Sequence, residues 1–246
     1  MGGWINSSKT LYYNIPYAKP LEGPAPMSLH HATAPPAPTA RRPEMAAFHP
    51  WAGDQTAALD ALLSRRSVSV RLLSDPAPSA AALEIMVRTA LRAPDHGTLR
   101  PWRFICVQGP ARAALGDVFA SARARREPTA SADDLDRERR KPLRAPLVIG
   151  LGAVVTASHP SVRAIDQQLA AGAAAMNLLN AAHILGFGGM WLTGASCHDP
   201  NVKQAVGLAA TDFLAGWLYV GTPVAAPAPV DRLHPSVAMT RWGVVA

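Results

Sequence analysis

The sequence predicts one α/β or α+β domain, because helical and strand-like apolar patterns alternate along the chain after residue 50. Apolar residues make up 49% of the 246 residues, which is enough to fill the core of a domain of this length. The continuous apolar run 147–155 predicts a central strand covered on both faces. The alanine-rich stretch 166–185 predicts a long helix, and the run 213–220 predicts the last strand. No internal repeat is present, so we expect a single domain over residues 51–246.

Local start and stop signals divide this domain into elements. A helix beginning near Thr56 carries leucines at helical spacing and runs into Arg65-Arg66-Ser67. Ser79 is the expected cap of a second helix, which Pro94 and Gly97 end. The remaining elements are a strand over 104–107, a helix over about 111–125, a strand over 190–192 after a glycine-rich turn, and a short helix starting at Asp199-Pro200. We expect the charged stretch that ends at residue 144 to pack loosely on the outside.

Residues 1–50 differ from the rest of the chain. They contain nine prolines, which break helices and disfavour central strands, and they show little periodicity. We therefore predict an extended or disordered tail. A dispensable tail is the favoured interpretation, and an arm that wraps a partner subunit is the alternative.

The charge of the chain raises the question of nucleic-acid binding. The formal net charge is +7 and the isoelectric point is about 10.0. Basic residues are scattered, however, apart from the runs at 123–126 and 137–144, and no aromatic residues interleave with those runs as stacking platforms would. A nucleic-acid partner is therefore disfavoured, although a basic binding protein stays the alternative from another functional class.

The length of the apolar runs and the number of cysteines indicate the cellular compartment. The longest apolar run, 169–185, is interrupted by Asn177, Asn180 and His183, so we expect no membrane span. The amino terminus lacks the pattern of a secretory signal. Two cysteines are too few for a disulfide scaffold and fit a reducing compartment, so we expect a cytoplasmic protein.

Two segments carry the strongest chemical signal. Arg65-Arg66-Ser67 closes the first helix, and Arg92-Ala-Pro-Asp-His96 follows the second, ahead of Pro101-Trp102 at the start of a strand. Guanidinium, hydroxyl and imidazole groups are suited to holding a phosphorylated, planar, hydrogen-bonding cofactor. Each segment alone is ordinary, because cations at a helix end also interact favourably with the helix dipole. Their order and combination make the functional interpretation the stronger one.

This arrangement resembles the nitroreductase family, in its short, single-domain branch of FMN-dependent NAD(P)H nitroreductases. The resemblance continues downstream in order and covers roughly residues 56–223. The segments that carry it are Arg144-Ala-Pro-Leu-Val-Ile149, the alanine-rich helix around Ala171-Gly172, Gly186-Phe-Gly-Gly-Met-Trp-Leu-Thr-Gly194 and Phe213-Leu-Ala-Gly-Trp-Leu-Tyr-Val-Gly-Thr-Pro223.

The resemblance implies an α+β, three-layer fold with a central mixed, mostly antiparallel sheet flanked by helices, in an intertwined homodimer. It implies an FMN-dependent oxidoreductase that uses NAD(P)H to reduce nitroaromatic, quinone or similar small acceptors by a ping-pong mechanism. Other FMN-dependent dehydrogenase chemistry is also compatible with the family. The implied contacts with FMN come from Arg65, Arg66 and Ser67, from Arg92 and His96 of the partner or the same loop, and from Trp191, Leu192 and Thr193. The implied contacts with the nicotinamide nucleotide come from Ala181, Ala182, His183, Ile184, Leu185 and Gly186.

Several features depart from the family or argue for other chemistry. The family leads us to expect a basic or polar side chain at Leu192, and Arg241 is a candidate substitute for that cation. Ser196-Cys-His198 suggests a thiol enzyme, but adjacent side chains usually point apart, so a structural role is favoured. No metal site is predicted. No protein residue is predicted to be catalytic either, because the flavin would carry the redox chemistry.

Overall fold

The computed structural model describes residues 55–243, so the tail predicted over residues 1–50 lies outside the described residues and stays a prediction. The helices are α1 (Gln55–Ser64), α2 (Ala80–Ala90), α3 (Ala111–Arg126), α4 (Ala132–Arg140), α5 (Ala164–Ile184), α6 (Ala195–His198) and α7 (Pro200–Ala205). The strands are β1 (Leu73–Ser74), β2 (Trp102–Gln108), β3 (Leu147–Ala153), β4 (Gly188–Leu192) and β5 (Phe213–Pro223). Short 3-10 turns lie at Val70–Leu72, His96–Thr98, Lys141–Arg144 and Pro235–Val237.

The sheet is organised around β5. This strand pairs with β3, with β4 and, at its end, with β1, while β2 pairs with the other edge of β3. Each of these pairings is antiparallel, which agrees with a mostly antiparallel sheet; the described strands form no parallel pair. Every residue of β3 is buried, as its continuous apolar sequence predicts.

Helices cover both faces of this sheet. On one face, Met86 of α2 and Leu178 of α5 pack on Ile149 and Leu218. On the other face, Phe119 of α3 meets Trp217 edge to face, with ring centroids 5.1 Å apart, in a core that includes Val202 of α7. The expected α+β, three-layer fold is therefore confirmed.

The charged stretch before residue 144 differs from the expectation. It forms α4, which begins with reciprocal hydrogen bonds between Ser131 and Asp134. The helix packs so closely on α3 that a side-chain carbon at Gly116 would overlap the carbonyl oxygen of Arg139. Glu138 is buried beneath this contact. The prediction of loose packing is wrong, because the mixed charges form an organised, paired layer.

Apolar side chains on two other helices are exposed in the single chain. Leu63 of α1 is 78% exposed and Leu169 of α5 is 64% exposed, with Ile165, Met176 and Ile184 on the same helix also exposed. No helix in the described part is both long and apolar enough to cross a membrane.

Candidate functional site

The segment Arg65-Arg66-Ser67 is fixed against the sheet. It follows α1 directly, and the Val68 amide next to it donates a hydrogen bond to the Gly189 carbonyl of β4 at 3.0 Å. Both arginines are half-buried and Ser67 is exposed. The segment therefore presents charged and hydroxyl groups from a rigid support.

A cleft of about 560 Å³ opens beside this segment. Arg66 lines it together with Ser64, whose hydroxyl oxygen lies 3.1 Å from Nε2 of His183 at the end of α5. Gly186, with φ of +84°, forms the turn that ends α5 and also lines the cleft. Residues 223–227 also line the cleft. The volume falls within the range of about 300–1,000 Å³ that is usual for cofactor sites.

Two guanidinium groups meet at the end of α1 without a carboxylate between them. Arg232 donates a hydrogen bond from Nη2 to the Arg65 carbonyl at 3.2 Å. Partial burial and then the like charge of Arg232 lower the pKa of Arg65. In the described part of the chain, neither arginine has an acidic group within ion-pair distance. Two adjacent, unpaired cations form a site that fits an anion.

Sequence reasoning missed Arg232. The candidate substitute Arg241 makes no hydrogen bond or ion pair within residues 55–243. The cation that lies beside Arg65 is Arg232 instead. Arg232 lies in the proline-rich segment after β5, which has no periodicity that would predict its position.

The end of β4 forms a wall with two different faces. Trp191 donates from its indole nitrogen to the Ala215 carbonyl at 3.2 Å, and it occupies space that a side chain at Gly216 would fill. Leu192 packs on the other core, beside Trp217 and Tyr219. The apolar side chain at Leu192 therefore has a packing reason, and the exposed Thr193 follows it.

Only part of the segment 181–186, which is predicted to contact the nicotinamide nucleotide, lies at the cleft. His183 and Gly186 line the cleft. Ala181 and Ala182 are buried in the core between α5 and the sheet, Leu185 is half-buried, and Ile184 is 62% exposed. The assignment of this segment to the nicotinamide nucleotide stays a prediction.

Arg92 and His96 lie elsewhere in the chain. Both are exposed, and the His96–Thr98 turn packs near the N-terminal end of α5, where Gly97 closely approaches Val162. Hydrogen bonds from Arg163 lower the pKa of Asp166 on α5, and the nearby charge of His96 lowers it further. The turn has a left-handed backbone at Thr98 (φ of +52°) and Arg100 (φ of +50°), a conformation that is often retained at functional sites.

Helix α5 separates the two predicted flavin segments within one chain. His96 lies near Asp166, and the Arg65 segment lies near His183. These α5 residues are seventeen positions apart, which corresponds to about 25 Å along the helix. One chain therefore does not bring His96 to Arg65, Arg66 and Ser67. Arg92 lies nearer the middle of α5, because the Thr89 carbonyl accepts from the Asn177 side chain at 3.4 Å and from the Arg92 amide at 3.1 Å.

The structure disfavours the two competing interpretations, a thiol enzyme and a nucleic-acid-binding protein. Cys197 is 2% exposed, and burial raises its pKa, which disfavours a reactive thiolate. The basic runs on α3 and α4 are largely paired with carboxylates, for example Arg126 with Asp199 at 3.1 Å and Arg139 with Asp136 at 2.7 Å. This pairing reduces the charge that those runs could offer to a nucleic acid.

Comparison with known proteins agrees with this geometry. The family model described as "Nitroreductase family" matches residues 62–222. The chain belongs to the nitroreductase family. The match includes the Arg65 segment and the wall at the end of β4, whereas Arg232 lies beyond it. The resemblance stated from the sequence is therefore confirmed.

Similar proteins of the nitroreductase family occur in several bacteria. A candidate NAD(P)H nitroreductase of Escherichia coli K12, YdjA, is 38% identical over 168 residues, which cover 68% of this chain and 88% of YdjA. YfhC of Bacillus subtilis, named in the same way, is 33% identical over 68% of this chain and 85% of its own length. A nitroreductase-like protein from Bacillus cereus has a TM-score of 0.62 at 24% identity, with 78% of this chain and 98% of that chain covered. A nitroreductase from Bacteroides fragilis with bound FMN has a TM-score of 0.54 at 18% identity, with 77% and 97% covered.

Proposed function

We propose that this member of the nitroreductase family is a homodimeric, cytoplasmic FMN-dependent oxidoreductase. NAD(P)H is its reductant, and a nitroaromatic, quinone or similar compound is its acceptor. The FMN bound by the Bacteroides fragilis protein supports the cofactor, and the names of the relatives in Escherichia coli and Bacillus subtilis support NAD(P)H. The observation that carries the proposal is the unpaired Arg65–Arg232 pair, in which Arg65 stands between Ser64 and Arg66 of the cleft lining.

The phosphate of FMN fits the two arginines that meet at the end of α1, next to this cleft. A phosphate monoester carries about two negative charges at neutral pH, and guanidinium forks bind it through paired hydrogen bonds. Partial burial and then repulsion by Arg232 lower the pKa of Arg65, and a phosphate at the two arginines would relieve that repulsion. Arg66 and Ser67 add N–H and hydroxyl donors for the phosphate or the ribityl chain. These four residues would therefore hold the polar end of FMN.

The position of Arg92 and His96 favours a site shared by two subunits. The separation of about 25 Å along α5 is longer than an FMN molecule, so the same-chain alternative is disfavoured for His96. In a two-fold dimer with antiparallel α5 helices, the loop of one subunit approaches the Arg65 segment of the other. Arg92 and His96 of the partner subunit would then complete each site.

Helix α5 has a surface that suits this dimer. Its exposed residues Ile165, Leu169 and Met176 form a stripe at helical spacing. Gly172 lies between them, and nothing within 4 Å occupies the space that a side chain would take. An apolar stripe around a small residue favours close approach of a second helix.

The chemistry divides between cofactor and protein. FMN, when bound, supplies the redox centre that takes a hydride from NAD(P)H and passes two electrons to the acceptor. Arg92 of the partner subunit, as a cation near the ring, would stabilise the negative charge that develops on reduction. Trp191 and Thr193 would form the wall, and neither of them needs to act as a nucleophile. A slot used in turn by both substrates leads to ping-pong kinetics.

The deciding experiment is the visible spectrum of the purified protein, with the released cofactor identified by chromatography. We expect one FMN per chain and parallel double-reciprocal plots for NAD(P)H against a quinone. A colourless protein that also fails to take up added FMN would overturn the flavin assignment. Intersecting plots from a yellow protein would overturn the shared slot and leave the cofactor assignment intact.

A further inference from the structure

A second, smaller chamber lies on the opposite face of β4 from the α5 core. Its volume is about 120 Å³, and it is bounded by the turn after Leu192, by the middle of β5 and by α3, α4 and the Lys141–Arg144 turn. Its polar lining comes from Thr193, Ser196, Tyr219, Glu138 and three cations, which are Arg126, Lys141 and Arg144. Since a water molecule occupies about 30 Å³ in the liquid, the chamber has room for a few waters or one small organic molecule.

The cations of this chamber are not equivalent. Arg126 is paired with Asp199 at 3.1 Å, and Lys141 is paired with Glu138. Glu138 also meets Arg123 at 3.5 Å, so its negative charge is balanced within the protein. Within residues 55–243, Arg144 is the cation of the lining that has no carboxylate within ion-pair distance.

Arg144 is held in place although it lacks an acidic partner. Its Nε donates to the Lys141 carbonyl at 3.2 Å, and its guanidinium carbon lies 5.2 Å from the centroid of the Tyr219 ring. Tyr219 is 2% exposed. Burial raises the pKa of its hydroxyl, and the interaction with Arg144 offsets part of that rise. A guanidinium has five N–H donors, so the contacts to Lys141 and Tyr219 leave donors for a ligand.

We propose that this chamber binds a small carboxylic acid in its ionised form, with Arg144 as the residue that recognises the carboxylate. A planar guanidinium fork matches the two oxygens of a carboxylate. The hydroxyl groups of Thr193, Ser196 and Tyr219 supply further polar contacts, and the rings of Phe119 and Trp217 fit a short apolar tail. The assignment does not depend on the proposed phosphate site, because neither Arg65 nor Arg232 lines the chamber, although Thr193 also belongs to the proposed flavin wall.

The test is a saturation-transfer NMR titration of the purified, full-length protein with propionate at constant ionic strength. Propionamide, which has the same shape and no charge, is the matched ligand. We expect propionate to bind and propionamide to bind at least about tenfold more weakly, the ratio typical of losing a charge-assisted hydrogen bond. Arg144→Gln should weaken propionate binding by a similar factor. Arg140→Gln changes an exposed arginine that does not line the chamber and should leave the affinity unchanged.

Tyr219→Phe provides a second variant in case Arg144→Gln fails to fold, which thermal unfolding would reveal. It removes the hydroxyl and keeps the ring under Arg144, and we expect weaker propionate binding. Equal binding of propionate and propionamide would overturn the proposal, as would an unchanged affinity in Arg144→Gln. An equal loss in Arg140→Gln would mean general charge attraction and would also overturn it. Since no step uses flavin or activity, these outcomes are independent of the proposed enzymatic function.

Discussion

The two basic regions of the chain differ in how their charges are balanced. On α3, α4 and the turn that follows them, the cations with a carboxylate partner are Arg123, Arg126, Arg137, Arg139 and Lys141. At the end of α1, Arg65 and Arg232 lie together and have none among the described residues. Most cations of the α3–α4 region are balanced within the chain, whereas the Arg65–Arg232 pair is free to bind a negative ligand.

This difference shows why net charge is a poor guide to function. The net charge of +7 includes both regions. The basic residues of α3 and α4 form visible clusters in the sequence, whereas Arg65 and Arg232 are 167 residues apart. The α1 region also lies at the His183 end of α5, far from His96 of the same chain, and α5 has an exposed apolar stripe; both features favour a second subunit. The α1 region therefore requires both an anion for its two arginines and a second subunit, and the predictions below test each requirement.

The largest effect is expected from Leu169→Glu, which places an unpaired charge on the exposed stripe of α5. Burying an unpaired charge costs several kcal/mol, so dimer affinity should fall on the order of a hundredfold or more. Sedimentation velocity should then show monomers, and the protein should purify with little FMN. Leu143→Glu makes the same change at an exposed leucine on the α3–α4 side and should keep both the dimer and its flavin. A Leu169→Glu dimer with full FMN would contradict the interface.

The next effect separates the two basic regions directly. Arg65→Ala removes one charged fork from the proposed phosphate site, so the Kd for FMN should rise about ten- to a hundredfold. Fluorescence titration of the flavin-stripped protein measures this change. Arg65→Lys keeps the charge and loses the fork, and we expect an intermediate Kd. Arg139→Ala, in the paired α3–α4 region, should change the Kd for FMN by less than about twofold. An equal rise in Kd in Arg65→Ala and Arg139→Ala would contradict the difference between the two regions.

Much of the fold follows from local sequence signals. The buried strand β3, the long helix α5 and the Ser79 cap, whose hydroxyl accepts from the Ala82 amide at 3.2 Å, were each indicated by composition or capping. These features depend on residues that are close in sequence, and such patterns are what periodicity and capping rules detect.

The missing parts depend on contacts between distant residues. The pairing of Arg65 with Arg232 joins α1 to a segment without periodicity, so no local pattern predicts it. The order of the motifs suggests that Arg65 and His96 act together, but the length of α5 separates them within one chain. The packing of α4 on α3 requires a glycine at position 116 opposite Arg139, which a charged sequence by itself does not reveal.

The close packing of α4 on α3 at Gly116 leads to the third prediction. Gly116→Ala improves helix propensity by up to about 1 kcal/mol, but its new methyl group overlaps the Arg139 carbonyl. We expect a net loss of about 1–3 kcal/mol in the free energy of unfolding, measured by urea denaturation at fixed protein concentration. Ser121→Ala, on the exposed side of the same helix, should stay within about 0.5 kcal/mol of the wild type. Equal stability of both variants would mean that α4 gives way easily and that the layer is loosely packed after all.

The smallest effect concerns one carboxylate of the paired region. Burial of Asp199 opposes its ionisation, but hydrogen bonds from Asn201, Val202 and Arg126 together lower its pKa below the ordinary 3.8. A pKa that is lower in the folded state adds stability above the unfolded value, and that contribution is lost as the pH falls through the folded value. Asp199→Asn keeps an N-cap for α7 and removes the charge, so it should cost about 1 kcal/mol at neutral pH. Urea midpoints measured from about pH 6 down to about pH 3 should show the wild-type advantage shrinking only below about pH 4. An advantage that stays constant over this range would show that the Asp199 charge does not stabilise the α3–α7 contact, and that shape alone holds this region together.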